Sequence, residues 1–244
     1  MEEATALGAG LPRAADSPLL GRFALLCLVF VLLAAVITLG GHWAGREVLL
    51  SGVSDATTAV EITLGDDVLT VPANVIRFAQ QRRPGAAERL DLFLRWPDMA
   101  GYSAETRSDF NHGSPERKIL FLSLERQIMS RDMSGRFALI YQHLIVKPGV
   151  PAPGGVTLYG FTDASGYRNE VLAVAERGHG EAPFVARCLT GAEADESLAP
   201  CQRDLLVGHG LSLSYRFPRT VLPDWKALDA AVLATTAGYL KRPS

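Results

Sequence analysis

From Phe23 to Leu39 the chain reads FALLCLVFVLLAAVITL, without a charge and with Thr38 as its only polar side chain. No other stretch restricts the fold as strongly. Gly40 and Gly41 lengthen the uncharged segment to residues 23–41. At about 1.5 Å per helical residue, about 20 residues cross a hydrocarbon core about 30 Å thick. Lipid offers no solvent to backbone polar groups, so a helix is the favoured conformation there. The segment predicts one transmembrane helix over 23–41, with the lipid bilayer as its partner, a tail over 1–22 and a connector over 42–59. A cleaved signal peptide is the rival fate, with Thr38-Leu39-Gly40 as a weak cleavage site. Against it, the apolar core is longer than such peptides use and 22 residues precede it. A lipoprotein signal does not fit, because Cys27 lies inside the apolar run behind Leu26.

Arg13 and Arg22 precede the run, whereas Arg46 alone follows it closely. This bias predicts a cytoplasmic N-terminus and a periplasmic C-terminal domain at a bacterial inner membrane, with Trp43 at the outer interface. Cys188 and Cys201 bracket the polar stretch LTGAEADESLAP. No neighbouring Cys or His completes a zinc site, so the pair predicts a disulfide, which an oxidising compartment permits. Cys27 reads as an inert apolar side chain.

Residues 60–244 leave enough chain for one domain with a sizeable core. The formal charge of the whole chain is -2, and the domain is close to neutral. It shows neither the basic stripe of a nucleic-acid binder nor a polybasic membrane-surface patch, so no nucleic-acid partner is expected. Arginine far outnumbers lysine, a usage associated with GC-rich bacterial genomes.

Short apolar runs and period-two alternation fill most of the region after residue 45 and predict strands. Residues 60–64 and 68–71 flank Gly65-Asp66-Asp67 as a hairpin, and 75–83 (VIRFAQQRR) read as a short helix ended by Pro84-Gly85. Leu90, Leu92, Leu94 and Trp96 alternate with Arg89, Asp91 and Arg95. Residues 119–124 and 137–146 read as strands, and 156–162 with 167–175 as a second hairpin. Phe184–Leu189 and Leu205–Phe217 lie either side of the cysteine pair; in the latter, Leu211, Leu213, Tyr215 and Phe217 alternate with Ser212, Ser214 and Arg216. After Pro223 and the capping candidate Asp224, apolar residues Trp225, Leu228, Val232 and Tyr239 repeat at helical spacing. The fold class expected is α+β and β-weighted: an N-terminal transmembrane helix, then one mainly antiparallel β domain with a C-terminal amphipathic helix.

Chemistry-bearing motifs are scarce. His179 and His209 each sit in a Gly-His-Gly triplet, and His112 lies in the polar segment 97–118 with Tyr102 and Phe110. Flanking glycines suit turn histidines, and no metal-ligand companion stands at helical or hairpin spacing. There is no GxSxG elbow and no Gly-rich phosphate loop. No catalytic, cofactor-binding or metal residue is assigned, and no cofactor is expected. The candidate ligand or partner site comprises Tyr102, Phe110, His112, His179 and His209.

The span Phe23–Leu39, the stretch Leu94-Arg95-Trp96-Pro97-Asp98-Met99 and the Cys188/Cys201 pair resemble the single-span "transmembrane anchored" periplasmic proteins of α-proteobacteria such as rhizobia. The resemblance implies a localisation and brings no activity or functional residues. The expectation is a membrane-anchored, non-enzymatic protein that binds or scaffolds another envelope protein. Its rivals are an anchored envelope hydrolase using the Gly-His-Gly turns and a small-ligand sensor ordered around Tyr102 and Phe110.

Overall fold

The computed structural model describes residues 22–23, 25–38, 52–110, 118–178 and 180–241. The chain divides into two units, residues 1–49 and 50–244. In the first, helix is described at 22–23 and 25–38, and Thr38 donates its hydroxyl back to the carbonyls of Ala34 and Ala35. No helix among the described residues is long and apolar enough to cross a membrane. The expected transmembrane helix over 23–41 is corrected on this ground, and with it the single-pass inner-membrane placement. Residues 24 and 39–41 of that stretch lie outside the described residues.

The second unit is β-weighted, mostly antiparallel and closed by a C-terminal helix, as its alternation implied. A small sheet, in order β2-β1-β3, is made of β1 (Ala59–Leu64), β2 (Asp67–Pro72) and the short β3 (Gly85–Ala86). The large sheet has eight strands. In chain order they are β4 (Arg89–Arg95), β5 (Ile119–Arg126), β6 (Val150–Ala152), β7 (Val156–Gly160), β8 (Glu170–Ala175), β9 (Phe184–Leu189), β10 (Cys201–Val207) and β11 (Leu211–Phe217). Their spatial order is β4-β5-β11-β10-β9-β8-β7-β6. Every pairing is antiparallel except that of β1 with β3.

Period-two side chains give the large sheet two faces. One presents Leu90, Leu92, Leu94, Leu120, Leu122, Leu124, Leu213, Tyr215 and Phe217 to the main core. Ile62, Leu64, Leu69 and Val71 of the small sheet and Trp225, Leu228 and Val232 of the helix Trp225–Tyr239 complete that core. Asp224 precedes the helix, but its side chain makes no capping bond. Cys188 and Cys201 are directly opposed across β9 and β10 and form the disulfide.

Two local expectations are corrected. Residues 75–83 form no continuous helix, only the 3-10 turn Ala79–Gln81 and the end of another at Val75: Ile76 bridges to Leu92, and Arg82 donates from Nε and Nη2 to the Ile76 carbonyl at 3.1 and 2.9 Å. Residues 137–146 form no strand. Tyr141 and Ile145, four apart, are buried with Met133, while Leu139, Ile140 and Val146 are exposed. That spacing belongs to turns and a 3-10 segment (Tyr141–His143) and not to a pleat.

Where β6 passes into β7, Gly154 holds φ +79°, and a Cβ there would lie 2.3 Å from the Pro223 carbonyl oxygen and 2.7 Å from its Cα. The Gly154 carbonyl also accepts from Trp225 Nε1 at 3.0 Å. Backbone abutting backbone has no flexible side chain to give way. Gly154→Ala is expected to destabilise the domain by about 1–3 kcal/mol through strain and clash. Urea midpoints of the two chains check this.

Candidate functional site: the open face of the large sheet

The second face of the large sheet is covered at its two ends and open in the middle. Over β8 and β9, Met133, Tyr141 and Ile145 pack on Leu172, Val174 and Val185. Over β4 and β5, Tyr102 joins Phe93 and Ile119, with Val53, Phe110 and Phe121 against them. Between these covers lies a cleft of about 560 Å³.

Strand register orders the cleft floor into three rows. The first runs Arg187–Gln202–Arg216–Phe121 across β9, β10, β11 and β5. The second runs Asp204–Ser214–Ser123–Asp91, and the third Leu206–Ser212–Glu125–Arg89. Two arginines lean in from outside the sheet. Arg77 stacks its guanidinium on Phe121 and Phe78, 4.8 and 4.9 Å from the ring centroids. Arg136, from the short helix Met133–Arg136, pairs with Asp204 at 2.6 Å.

The acidic groups here are already matched. Asp91 accepts from Arg89 Nε at 2.9 Å and from Gln81 Nε2 at 3.0 Å, and Glu125 lies 3.7 Å from Arg89. Burial raises the Asp204 carboxyl above the usual aspartate value, against the pull of Arg136. The basic groups are less well matched. Arg216 donates only to neutral acceptors, from Nε to the Ala199 carbonyl at 3.2 Å and from Nη2 to Ser197 Oγ at 3.1 Å. Desolvation between its two rings lowers the Arg77 pKa; nearby Asp91 opposes this and nearby Arg216 adds to it. Arg187 Nη1 meets Glu170 at 3.4 Å, and its guanidinium stands 4.9 Å over the Tyr167 ring. Among the described residues, neither Arg77 nor Arg216 has a carboxylate at ion-pair distance. Among the described residues, Ser123 Oγ, Arg136 Nε and Arg187 Nε are buried without a hydrogen-bond partner, and all three residues line this cleft.

Of the residues singled out from sequence, Tyr102, Phe110 and His209 fall elsewhere. Tyr102 and Phe110 come together, ring centroids 5.5 Å apart, with Phe93 4.9 Å from Phe110. Tyr102 is buried, and its backbone exchanges hydrogen bonds with Asn74, so it ties its loop to the domain. His209 lies at the other end of β5, in the Gly208–Gly210 turn joining β10 to β11. Its backbone N–H and its Nδ1 both meet the buried Asp67 carboxylate, the ring at 2.9 Å. A Cβ on Gly208 would lie 2.7 Å from Asp67, so the glycine admits this clasp. His112 and His179 lie outside the described residues. Among the described residues, no group of three or more His, Cys, Asp or Glu side chains is arranged to hold a metal ion.

The cleft arginines were passed over because alternation marks a residue as outward-facing, not as sharing a row with residues of three other strands. The available signal was that β4 and β11 both alternate apolar with polar side chains.

No family model matches the sequence, and no curated protein matches it. Among solved structures, the chain is similar to an immunity protein of the Stenotrophomonas maltophilia type IV secretion system: 17% identity, TM-score 0.51, covering 76% of this chain and 94% of that one. It is also similar to the iron-regulated outer membrane lipoprotein FrpD of Neisseria meningitidis: 8% identity, TM-score 0.42, covering 76% of this chain and 95% of that one. The first of these similarities is one of fold.

Proposed function

We propose that this domain is a non-catalytic binding module that engages another protein of the bacterial envelope through the open face of its large sheet. One observation carries the reading: the cleft floor is polar and ordered by strand register, and three residues lining the cleft have a buried polar atom with no hydrogen-bond partner among the described residues. Buried polar groups in folded proteins are nearly always hydrogen-bonded, so such a cluster is suited to a binding partner. An apolar shoulder beside the cleft favours a protein as that partner. Ile128, Met129 and Leu206 line it and are 89%, 53% and 36% exposed. Arginine, methionine and aromatic side chains are the types enriched in protein interfaces. The disulfide fits an oxidising compartment, and the fold is one that an immunity protein of a secretion system also uses.

A photo-crosslinking residue placed at Met129 or at Ser212, in cells making the chain at normal levels, tests this. The expected outcome is one adduct of defined mass from both positions and none from Lys226 or Leu233 on the C-terminal helix. Adducts confined to the helix positions would overturn the reading.

A further inference from the structure

Building on that reading, we infer that the row Arg187–Gln202–Arg216, with Arg77 above it, is a subsite for side-chain carboxylates on an extended acidic segment of the partner polypeptide. Arginine presents Nε and Nη side by side, a fork that matches the two oxygens of a carboxylate. Arg187 uses Nη1 on Glu170 and leaves a buried Nε without an acceptor. Arg216 and Arg77 bring two more guanidiniums to the same row with, among the described residues, no carboxylate at ion-pair distance. Repulsion from Arg216 acts on Arg77, behind burial and the opposing attraction of Asp91. An incoming carboxylate relieves that repulsion. A second hollow of about 90 Å³ shares Arg187, Gln202 and Arg216 with the main cleft and is lined on its far side by Glu170, already paired with Arg187. At about 30 Å³ of liquid volume per water, it has room for a carboxylate group.

The surroundings favour a polypeptide over a small multivalent anion. Asp204 and Asp91 occupy the next row, displaced by two residues along their strands, or about 7 Å. A compact phosphate would meet their repulsion at once. A side-chain carboxylate carries a single charge, and the chain that bears it can run on over Ser214, Ser123 and Ser212 towards the apolar shoulder. The matched carboxylates of the second and third rows then oppose basic or neutral residues of the same segment.

Titration of the full chain with a hexapeptide of alternating glutamate and serine, followed by calorimetry at low salt, tests the subsite. The expected result is saturable binding that R187Q/R216Q weakens at least tenfold and R219Q, outside the cleft, leaves unchanged. R216K is expected to bind at an intermediate level, because it keeps the charge and loses the fork. Since R187Q/R216Q could disturb folding, R216Q alone, with an unaltered melting temperature, is expected to weaken binding at least threefold. The lysine counterpart of the peptide is expected not to bind. Absence of saturable binding, insensitivity to both R216Q and R187Q/R216Q, or equal competition by inorganic phosphate would each overturn the assignment. Crosslinks from Met129 and Ser212 that persist while the acidic peptide fails to bind would sink the subsite alone. Loss of those crosslinks as well would sink the binding reading beneath it.

Discussion

Asp229→Ala is expected to lower the unfolding free energy by about 3–5 kcal/mol, the usual consequence of stranding a buried charge. Asp229 lies on the core face of the C-terminal helix and is 1% exposed, as is Arg203 of β10. Its carboxylate accepts from Arg203 Nε at 2.9 Å, from the Tyr215 hydroxyl at 2.7 Å, and from Arg177. Arg203 spends its remaining hydrogen bonds on Ser134 Oγ and the Val185 carbonyl, both at 2.9 Å. One carboxylate thus ties the helix to β10 and β11, and through Arg203 to β9 and the segment at 134. Removing it leaves a guanidinium in the core with two neutral acceptors and, among the described residues, no carboxylate at ion-pair distance. The companion change Arg203→Met/Asp229→Leu removes both charges and is expected to be milder than Asp229→Ala, since it strands no guanidinium in the core and costs only the acceptor of the Tyr215 hydroxyl and of the part-exposed Arg177. Urea denaturation of the three chains measures this. A single-variant loss below about 1 kcal/mol would show that the network is not what holds the helix.

The same group gives the protein an acid limb. Burial by itself raises the Asp229 carboxyl. Attraction to Arg203 and the hydrogen bonds from Arg203, Tyr215 and Arg177 outweigh it, so the pKa lies below the ordinary aspartate value. A depressed carboxyl pKa contributes stability that is present above the unfolded-state value, about 3.9, and is lost as pH falls through the folded value. The wild-type chain should therefore lose stability below about pH 4, and Asp229→Asn should lose less over that interval.

Much of the sheet was legible because alternation is a local signal. The runs at 90–96, 119–124 and 211–217 announce strands, and Gly65-Asp66 announces the first hairpin. The two cysteines could be paired because no other thiol stands near them. What escaped depends on residues far apart in sequence. Arg203 shares a face with Cys201 and Leu205, and Asp229 lies beside Leu228 on the helix; each breaks an apolar pattern. Only the fold brings the two together, 26 residues apart. Segment 137–146 looks like a strand by composition but serves as a lid on β8 and β9, where Tyr141 and Ile145 find their burial. The apolar run at 23–41 met a length criterion in sequence that the described helix does not meet. The candidate site was the least legible part, because its rows exist only once β4, β5, β11, β10 and β9 lie in that order. Sequence reading favours unusual residues such as Gly-His-Gly. The cleft is built of ordinary arginines and serines whose significance is their register.

Replacing both cysteines, Cys188→Ala/Cys201→Ala, is expected to remove about 3 kcal/mol of stability, and the loss should be concentrated at one seam. The disulfide closes a short loop, with a sequence separation of 13, and both cysteines are fully buried. The seam it crosses is the weakest in this part of the large sheet. Strands β9 and β10 share two register pairs, whereas β10 and β11 share seven and β8 and β9 share six. One of those two pairs is Cys188 with Cys201; the other is Arg187 with Gln202, the start of the basic row. Without the bridge, hydrogen exchange should rise first at β9 and β10, ahead of the well-paired β10–β11 hairpin. Binding of the glutamate peptide should weaken in conditions where the chain is still folded, because Arg187 and Arg216 are then no longer held at fixed separation. Uniform acceleration of exchange across all eight strands would contradict the staple role and make the disulfide a general stabiliser. Retention of full peptide affinity would show that the basic row keeps its spacing without it.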